Sequence, residues 1–230
     1  MKMLRSAIAA ACAGTALLTA APARADIVLS ELIVDLQPGK QTRDDIEVWN
    51  SSPDRAFVAL EPREILNPSL PSQTARKDPD PEKLGILVSP ARMILEPGQR
   101  KLIRIAALST SPDRERVYRV TVKPVVGAVQ SQASGLKVLL GYDVLVLVRP
   151  AQPAATVVGV RNGRTLTLRN TGNVSVEMID GRQCETGSTQ CTQLPGKRLY
   201  AGASWTVALP SDSPAQYTLR SPGRADRRTF

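Results

Sequence analysis

Proline and glycine interrupt this sequence at intervals of about ten residues, and no segment between them repeats its apolar residues with the 3.6-residue period of a helix. The 230 residues include 18 prolines and 15 glycines, and valine and leucine dominate the short apolar runs between them. Short alternating segments bounded by turn residues are typical of β-sheets. The sequence therefore predicts an all-β protein.

The candidate strands fall into two groups. About seven lie before Pro150, with the size and turn spacing of an immunoglobulin-like sandwich. The prolines after Arg149 cannot continue a central strand, and a second, smaller set of strands follows them. We expect domains at residues 26–149 and 150–230. Between the strands, Pro62–Lys83 predicts a long exposed connection and Gly223–Phe230 a frayed tail.

The N-terminal segment, residues 1–25, has the layout of a secretory signal peptide, with basic residues, a small apolar run and a small-residue cleavage site. Its removal takes away Lys2, Arg5 and Arg24 and no acid, so the net charge falls from +9 to +6. No later apolar run is long enough to span a membrane. We expect an exported protein with a moderately basic surface and, because aromatic residues are rare, no nucleic-acid partner.

Two cysteines remain in the expected mature chain, Cys184 and Cys191. In an exported protein, two cysteines at this spacing predict a disulfide that pins a hairpin. A redox or metal pair is the alternative, but the spacing is not Cys-x-x-Cys and the chain has no histidine. We expect no metal and no cofactor.

The absence of histidine also excludes imidazole general-base catalysis and Ser-His or Cys-His nucleophiles. The sequence has no nucleophile elbow, phosphate-binding glycine loop or dinucleotide fingerprint. A hydrolase that uses carboxylates alone stays open. The composition favours a protein that is not an enzyme and has no small-molecule substrate.

The longest candidate strand is Leu136–Pro150, which would span about 45 Å. Its first half places Leu136, Val138 and Leu140 on one face, and its second half is apolar on both faces. An apolar row beside an unpaired strand edge is a docking site for the strand of another chain. An ordinary core strand with a bend at Gly141 is the alternative.

Four motifs follow one another along the chain: Val88-Ser-Pro-Ala-Arg-Met-Ile-Leu-Glu-Pro-Gly98 with Leu102-Ile-Arg-Ile105, Glu115-Arg-Val-Tyr118, Val146-Leu-Val-Arg-Pro150, and Leu168-Arg-Asn-Thr-Gly-Asn173. In this order and spacing they resemble the periplasmic chaperones of the chaperone–usher pilus pathway, and the similarity extends over the whole expected mature chain.

The resemblance implies two immunoglobulin-like domains arranged as a boomerang, and a periplasmic chaperone that lends a strand to a pilin lacking its own last strand. Aligned on Arg149, the lending row falls on Leu136, Val138 and Leu140, and Arg149 and Glu115 match a charge pair between the domains. The implied partners are exported pilin-like subunits and an outer-membrane usher. Self-association through the same strand stays open.

The chain also departs from the family pattern. Family members hold the terminal carboxylate of the pilin with two basic residues, and these positions fall here on Leu145 and on Glu31 or Leu32. The third member of the family's charge network falls near Arg220 or Ser221. The alternative function is that of a secreted two-domain adhesin or matrix component.

Overall fold

The structure is a computed structural model of the chain and describes residues 27–37, 39–108, 112–125, 140–184 and 190–230. The expected signal peptide, residues 1–25, lies outside this range, and so do Leu136 and Val138. Among the residues described, no helix is long and apolar enough to cross a membrane. The fold is two immunoglobulin-like β-sandwiches, which confirms the predicted fold class.

The first sandwich packs a four-stranded sheet against a six-stranded one. The four-stranded sheet has the order β1-β3-β8-β6, formed by Ile27–Leu29, Arg43–Asn50, Arg100–Ala107 and Ile86–Ser89. The six-stranded sheet has the order β2-β10-β9-β4-β5 with β7 beside β4, formed by Ile33–Leu36, Tyr142–Val148, Arg116–Val125, Ala56–Leu66, Thr74–Arg76 and Arg92–Leu95. Alternate residues of both sheets fill the core between them.

The second sandwich is smaller and lies C-terminal to the first. Its three-stranded sheet has the order β11-β12-β16, formed by Val157–Asn162, Thr165–Asn170 and Ser204–Ala208. Its five-stranded sheet has the order β14-β13-β17-β18 with β15 beside β13, formed by Cys191–Gln193, Val176–Cys184, Ala215–Ser221, Arg224–Thr229 and Lys197–Leu199.

The two sandwiches share apolar packing. Val117, Leu145 and Leu147 belong by sequence to the first sandwich, but they pack into the apolar cluster of the second, which includes Met178 and Leu199. These contacts bury residues from both faces of β10, because the neighbouring valines of that strand pack into the first core. Strand β10 is therefore covered on both sides, as its two apolar faces predict.

The predicted connection over Pro62–Lys83 is wrong. Strand β4 continues to Leu66, strand β5 pairs with it, and Pro81–Leu84 forms a short helix, α1. Buried Glu64 explains the order: Arg76 and Arg116 both pair with its carboxylate and also donate to the Leu84 carbonyl. The composition of the segment predicted a solvated connection because it is rich in charged residues. In the structure several of these residues instead form ion pairs with one another.

The predicted frayed tail at Gly223–Phe230 is also wrong. Arg224–Thr229 forms β18, which pairs antiparallel with β17. Phe230 exchanges two backbone hydrogen bonds with Ala215, and its ring packs edge-on against Tyr217 at a centroid distance of 6.5 Å. The basic composition of the segment gave no sign of a strand, because the backbone of β18 forms its hydrogen bonds with the neighbouring strand β17.

The predicted disulfide is present. Cys184 and Cys191 lie directly opposite each other in the antiparallel pair of β13 and β14, and their sulfur atoms are bonded. The bond ties the outer strand β14 to β13 across a short loop.

Loss of this bond should destabilise the second sandwich. On the chain-entropy estimate, a loop this short contributes about 2–3 kcal/mol to the free energy of unfolding. We expect Cys184→Ser with Cys191→Ser to lower the melting temperature of the protein, measured by circular dichroism. Wild-type protein treated with a reductant should reproduce the shift, and an unchanged melt in both cases would contradict the prediction.

Candidate functional site

Strand β10 is paired along one edge for its whole length but along the other edge for only part of it. Residues Tyr142–Val148 pair antiparallel with β9, whereas β2 pairs parallel with only Leu145–Val148. The Leu145 amide donates to the Leu32 carbonyl at 2.9 Å, which is the first contact of this second edge. Within the part of the chain that the structure describes, no strand pairs with β10 ahead of Leu145 on that side.

The backbone groups of Asp143 point toward the edge on which β2 pairs. Successive residues of a strand point their N–H and C=O groups to opposite edges. Leu145 and Arg149 donate toward β2, so Asp143, two residues earlier, directs its backbone groups to the same edge, beyond the end of β2. We call this position of β10, upstream of Leu145, the open edge.

The side chains approaching the open edge continue the row that fills the first core. Val144, Val146 and Val148 are fully buried, and half-buried Tyr142 ends the row by donating its hydroxyl to the Ile27 carbonyl at 2.8 Å. Leu140 lies two residues before Tyr142 and so continues the alternation of this row, but it precedes the strand and is 59% exposed. Leu140 thus continues the alternation of the core valines without being buried in the core.

The predicted strand from Leu136 is described only in part. Strand β10 begins at Tyr142, and Leu140 and Gly141 lie ahead of it without strand pairing. A Cβ at Gly141 would lie 3.1 Å from the Val122 carbonyl oxygen, so the backbones approach closely at this point. The lending row of Leu136, Val138 and Leu140 therefore stays a prediction, with only its last member placed.

A charged cluster holds the start of β10 against β9 and β4. Arg63 donates from Nη2 to both carboxylate oxygens of Asp143 at 2.9 Å and from Nη1 to the Thr121 hydroxyl at 2.5 Å. Arg119 donates to the Asp143 backbone carbonyl at 3.3 Å, and its Nε lies 4.0 Å from the Asp143 carboxylate. Arg63, Arg119 and Asp143 are all partly exposed on the side that faces the second sandwich.

A second cluster lies at the other end of β10, around Arg149. This arginine is 5% exposed and donates from Nε and Nη2 to Asp35 of β2 at 2.8 and 2.7 Å. Its Nη1 pairs with buried Glu115, just ahead of β9, and lies 3.3 Å from the Ser175 hydroxyl of the second sandwich. The amide and hydroxyl of Ser175 also donate to Glu115, at 3.0 and 3.1 Å. The predicted partners Arg149 and Glu115 are thus brought together.

Burial by itself lowers the pKa of the Arg149 guanidinium, because the charged form loses solvation. Hydrogen bonds to Asp35 and Glu115 and the attraction of both carboxylates outweigh this effect and raise the pKa. Arg149 therefore remains charged at all physiological pH values.

The position of the family's third charge partner, near Arg220 or Ser221, carries no acidic residue in this chain. Arg220 pairs with Glu177, which also pairs with Arg198, whereas the acidic partners of Arg149 are Asp35 and Glu115. The partner that the sequence analysis missed is Asp35. An acidic residue between buried Val34 and Leu36 was the signal, because a charge in an alternating strand of this kind points away from the core.

The positions at which the family carries basic residues are occupied by neutral or acidic ones. Leu145 is buried at 5% exposure against the second sandwich, and Leu32 is 49% exposed beside it. Burial raises the pKa of the nearby Glu31 carboxyl, and the charge of Asp44 raises it further. The same face carries Arg119 as the cross-strand neighbour of Leu145, and Arg63 as that of Arg119.

Comparisons with known proteins agree with this architecture. Residues 27–154 match the family described as pili and flagellar-assembly chaperone, PapD N-terminal domain. A comparison with curated proteins found no match.

Solved structures match over most of the chain. The class 5 fimbriae chaperone CfaA is 22% identical, with a TM-score of 0.66 over 88% of this chain and 98% of that one. The SafB chaperone in complex with SafA pilin, from Salmonella enterica, is 16% identical, with a TM-score of 0.64 over 91% and 99%. The CsuC–CsuE complex of a chaperone with a tip adhesion subunit, from Acinetobacter baumannii, is 12% identical, with a TM-score of 0.59 over 89% and 98%.

The Arg149 cluster yields a stability prediction. Arg149→Ala leaves Glu115 buried without its cation, which should cost roughly 3–5 kcal/mol in the free energy of unfolding. The matched control is Arg104→Ala, which removes an arginine from an exposed pair with Asp45. Its urea midpoint should stay close to that of wild type. Urea unfolding of the three proteins checks the difference. Equal midpoints for Arg149→Ala and Arg104→Ala would show that the cluster is not a structural ion pair.

Proposed function

The chain belongs to the family of pili and flagellar-assembly chaperones, and from that premise we propose that it binds an exported pilin-like subunit by lending it the open edge of β10. In this mechanism the subunit exposes an apolar groove because it lacks a strand. The chaperone supplies backbone hydrogen bonds along the edge and apolar side chains that enter the groove.

The observation that carries the proposal is the unequal pairing of β10. Its second half is anchored by β2, whereas at its start the Asp143 backbone faces an edge on which no strand of the described residues pairs, and Leu140 is exposed. An unpaired strand edge beside apolar side chains is a template for another strand. The predicted row of Leu136, Val138 and Leu140 would extend this template upstream.

The energetics require only burial and hydrogen bonding. Each Leu or Val of the row would contribute about 1.5–3 kcal/mol when fully buried, before the costs of association are subtracted. Nothing in this mechanism needs a nucleophile, a metal or a cofactor. We therefore propose that the protein is a binding protein and not an enzyme.

The relatives support the partner and the compartment that we propose. The structures of SafB with a pilin and of CsuC with a tip adhesion subunit are chaperone–subunit complexes, which supports an exported subunit as the partner of this chain. We further propose that residues 1–25 direct the chain to the periplasm and that the bound subunit is delivered to an outer-membrane usher. The domains would then be residues 26–149 and 150–230, of which the first carries the open edge.

The proposal predicts that a charge in the row abolishes subunit binding without unfolding the protein. Leu140→Glu is suited to this test because the native side chain is 59% exposed and makes little contribution to the core. A buried carboxylate without a partner in the subunit groove is prohibitively costly. We expect Leu140→Glu, and equally Val138→Glu, to lose the subunit that co-purifies with wild type from periplasm, with an unchanged circular dichroism melt.

The matched control is Leu102→Glu, which places the same charge at a leucine that is 56% exposed on the outer face of the four-stranded sheet. This variant should retain the subunit. A folded Leu140→Glu protein that still carries the subunit in wild-type amount would rule out the lending of this edge. Loss of the subunit by Leu102→Glu as well would indicate a general surface effect.

A further inference from the structure

Strand β11 is the end strand of the three-stranded sheet in the second sandwich. It pairs antiparallel with β12 over Val157–Asn162, and no strand of the described residues pairs with its other side. The Thr171 amide donates to the Thr156 carbonyl at 2.8 Å, so the even-numbered residues of β11 direct their backbone groups toward β12. The backbone groups of Gly159 and Arg161 therefore point to the unpaired side, which we call the β11 edge.

The outward side chains of β11 are apolar and exposed. Val158 is 46% exposed and Val160 is 69% exposed, the highest value among the exposed large apolar side chains that the structure describes. Strand β18, the end strand of the other sheet, instead carries Arg227 in the middle of its outward row. A charge in that position is one way in which edge strands avoid pairing with other chains. The outward row of β11 lacks this protection.

Three arginines surround β11 without a carboxylate partner. Arg161 donates to three backbone carbonyls of nearby turns at 2.9–3.1 Å. Arg228 of β18 donates to the Val157 carbonyl at 3.1 Å. Arg169 is exposed on β12, directly opposite Val158. Among the described residues, the ion pairs of this sandwich include none of the three, so the surroundings of β11 are positively charged.

The apolar and the basic groups lie on different faces of β11. Arg161 alternates with the buried Val157, which places it on the inner face, and the Arg228 guanidinium lies 5.6 Å from the Phe230 ring that packs on Tyr217. The exposed valines are on the outer face. Because the side chains of a strand alternate between faces, a guest strand at this edge meets valines with one row and arginines with the other.

We propose that the β11 edge binds an extended segment of another protein in which apolar and acidic residues alternate. The segment pairs with the backbone groups of Gly159 and Arg161. Its apolar side chains cover Val158 and Val160, and its carboxylates neutralise the arginines on the inner face.

A second copy of this chain does not fit the same edge. Strand β11 contains no acidic residue, so pairing of two copies would bring arginines together without a carboxylate between them. The proposal is also independent of the proposed function, because the β11 edge belongs to the second sandwich and the open edge to the first.

The test uses the full chain and three labelled peptides about six residues long, the usual length of a strand. One peptide alternates valine and glutamate, the second valine and lysine, and the third serine and glutamate. Affinities are measured by fluorescence anisotropy for wild type, Val160→Ser and Arg228→Met. The matched controls Leu102→Ser and Arg92→Met replace an exposed leucine and an exposed arginine of the first sandwich.

We expect wild type to bind the valine–glutamate peptide about tenfold more tightly than either of the other two, because only this peptide offers both apolar contacts and carboxylates. Val160→Ser and Arg228→Met should each weaken its binding by about fivefold or more. The two control variants should bind it as wild type does, and added salt should weaken the binding in wild type.

Amide hydrogen exchange, followed by NMR, locates the bound peptide. Exchange at Gly159 and Arg161 should slow when the valine–glutamate peptide binds, because their amides gain acceptors. Exchange at Val158 and Val160 should not change, since these residues already pair with β12.

Three outcomes would overturn the inference: equal affinity of wild type for the glutamate and the lysine peptide, unchanged affinity in Val160→Ser, or protection at Asp143 in place of Gly159 and Arg161. The last would place the peptide at the open edge of β10. Val160 is exposed, so its replacement should leave the circular dichroism melt unchanged and keep the test decisive. None of these outcomes affects the proposed function, which Leu140→Glu tests separately.

Discussion

The buried guanidinium of Arg149 connects the parts on which the rest of the molecule depends. It joins the end of β10 to Asp35 on β2, to Glu115 ahead of β9 and to Ser175 of the second sandwich. A charge that is 5% exposed is tolerated only with this number of partners, because each lost partner would leave an uncompensated charge. The cluster therefore fixes the place where β2 ends on β10 and the place where the second sandwich meets the first.

The open edge is a consequence of that anchoring. Because β2 is held at Asp35 and covers β10 only from Leu145, the described residues pair with both edges of β10 at its end and with one edge at its start. The Arg63–Asp143–Thr121 contacts keep the half-paired end in register with β9. In the proposed function, a preorganised edge would bind a guest strand without first having to order itself, which would reduce the entropy cost of association.

The charged residues at the junction of the two sandwiches form two groups that differ in burial. Around Arg149, the buried guanidinium pairs with buried Glu115 and with partly exposed Asp35, and Ser175 of the second sandwich donates to Glu115, so this group joins the two domains. Around Arg119 the side chains are partly exposed, and Arg63 and Arg119 both lie near the single carboxylate of Asp143.

Much of the architecture could be predicted from sequence because it rests on local patterns. Turn residues and alternating valines predict the two β-sandwiches, and the cysteine spacing predicts the disulfide. Alternation along β10 also predicts which residues share a face, because the period of a strand is set by the backbone itself. The Arg149–Glu115 pair came from a family resemblance and not from these patterns.

Contacts between distant segments were decided only in the tertiary structure. Asp35 meets Arg149 across 114 residues, and Arg63 meets Asp143 across 80, separations over which no local pattern carries information. The same reason explains both errors: Glu64 with its two arginines orders a segment that composition marks as loop, and β17 pairs with a tail that composition marks as frayed. Sequence alone determined which residues alternate and turn, whereas the partner of each charge depended on which strands became neighbours.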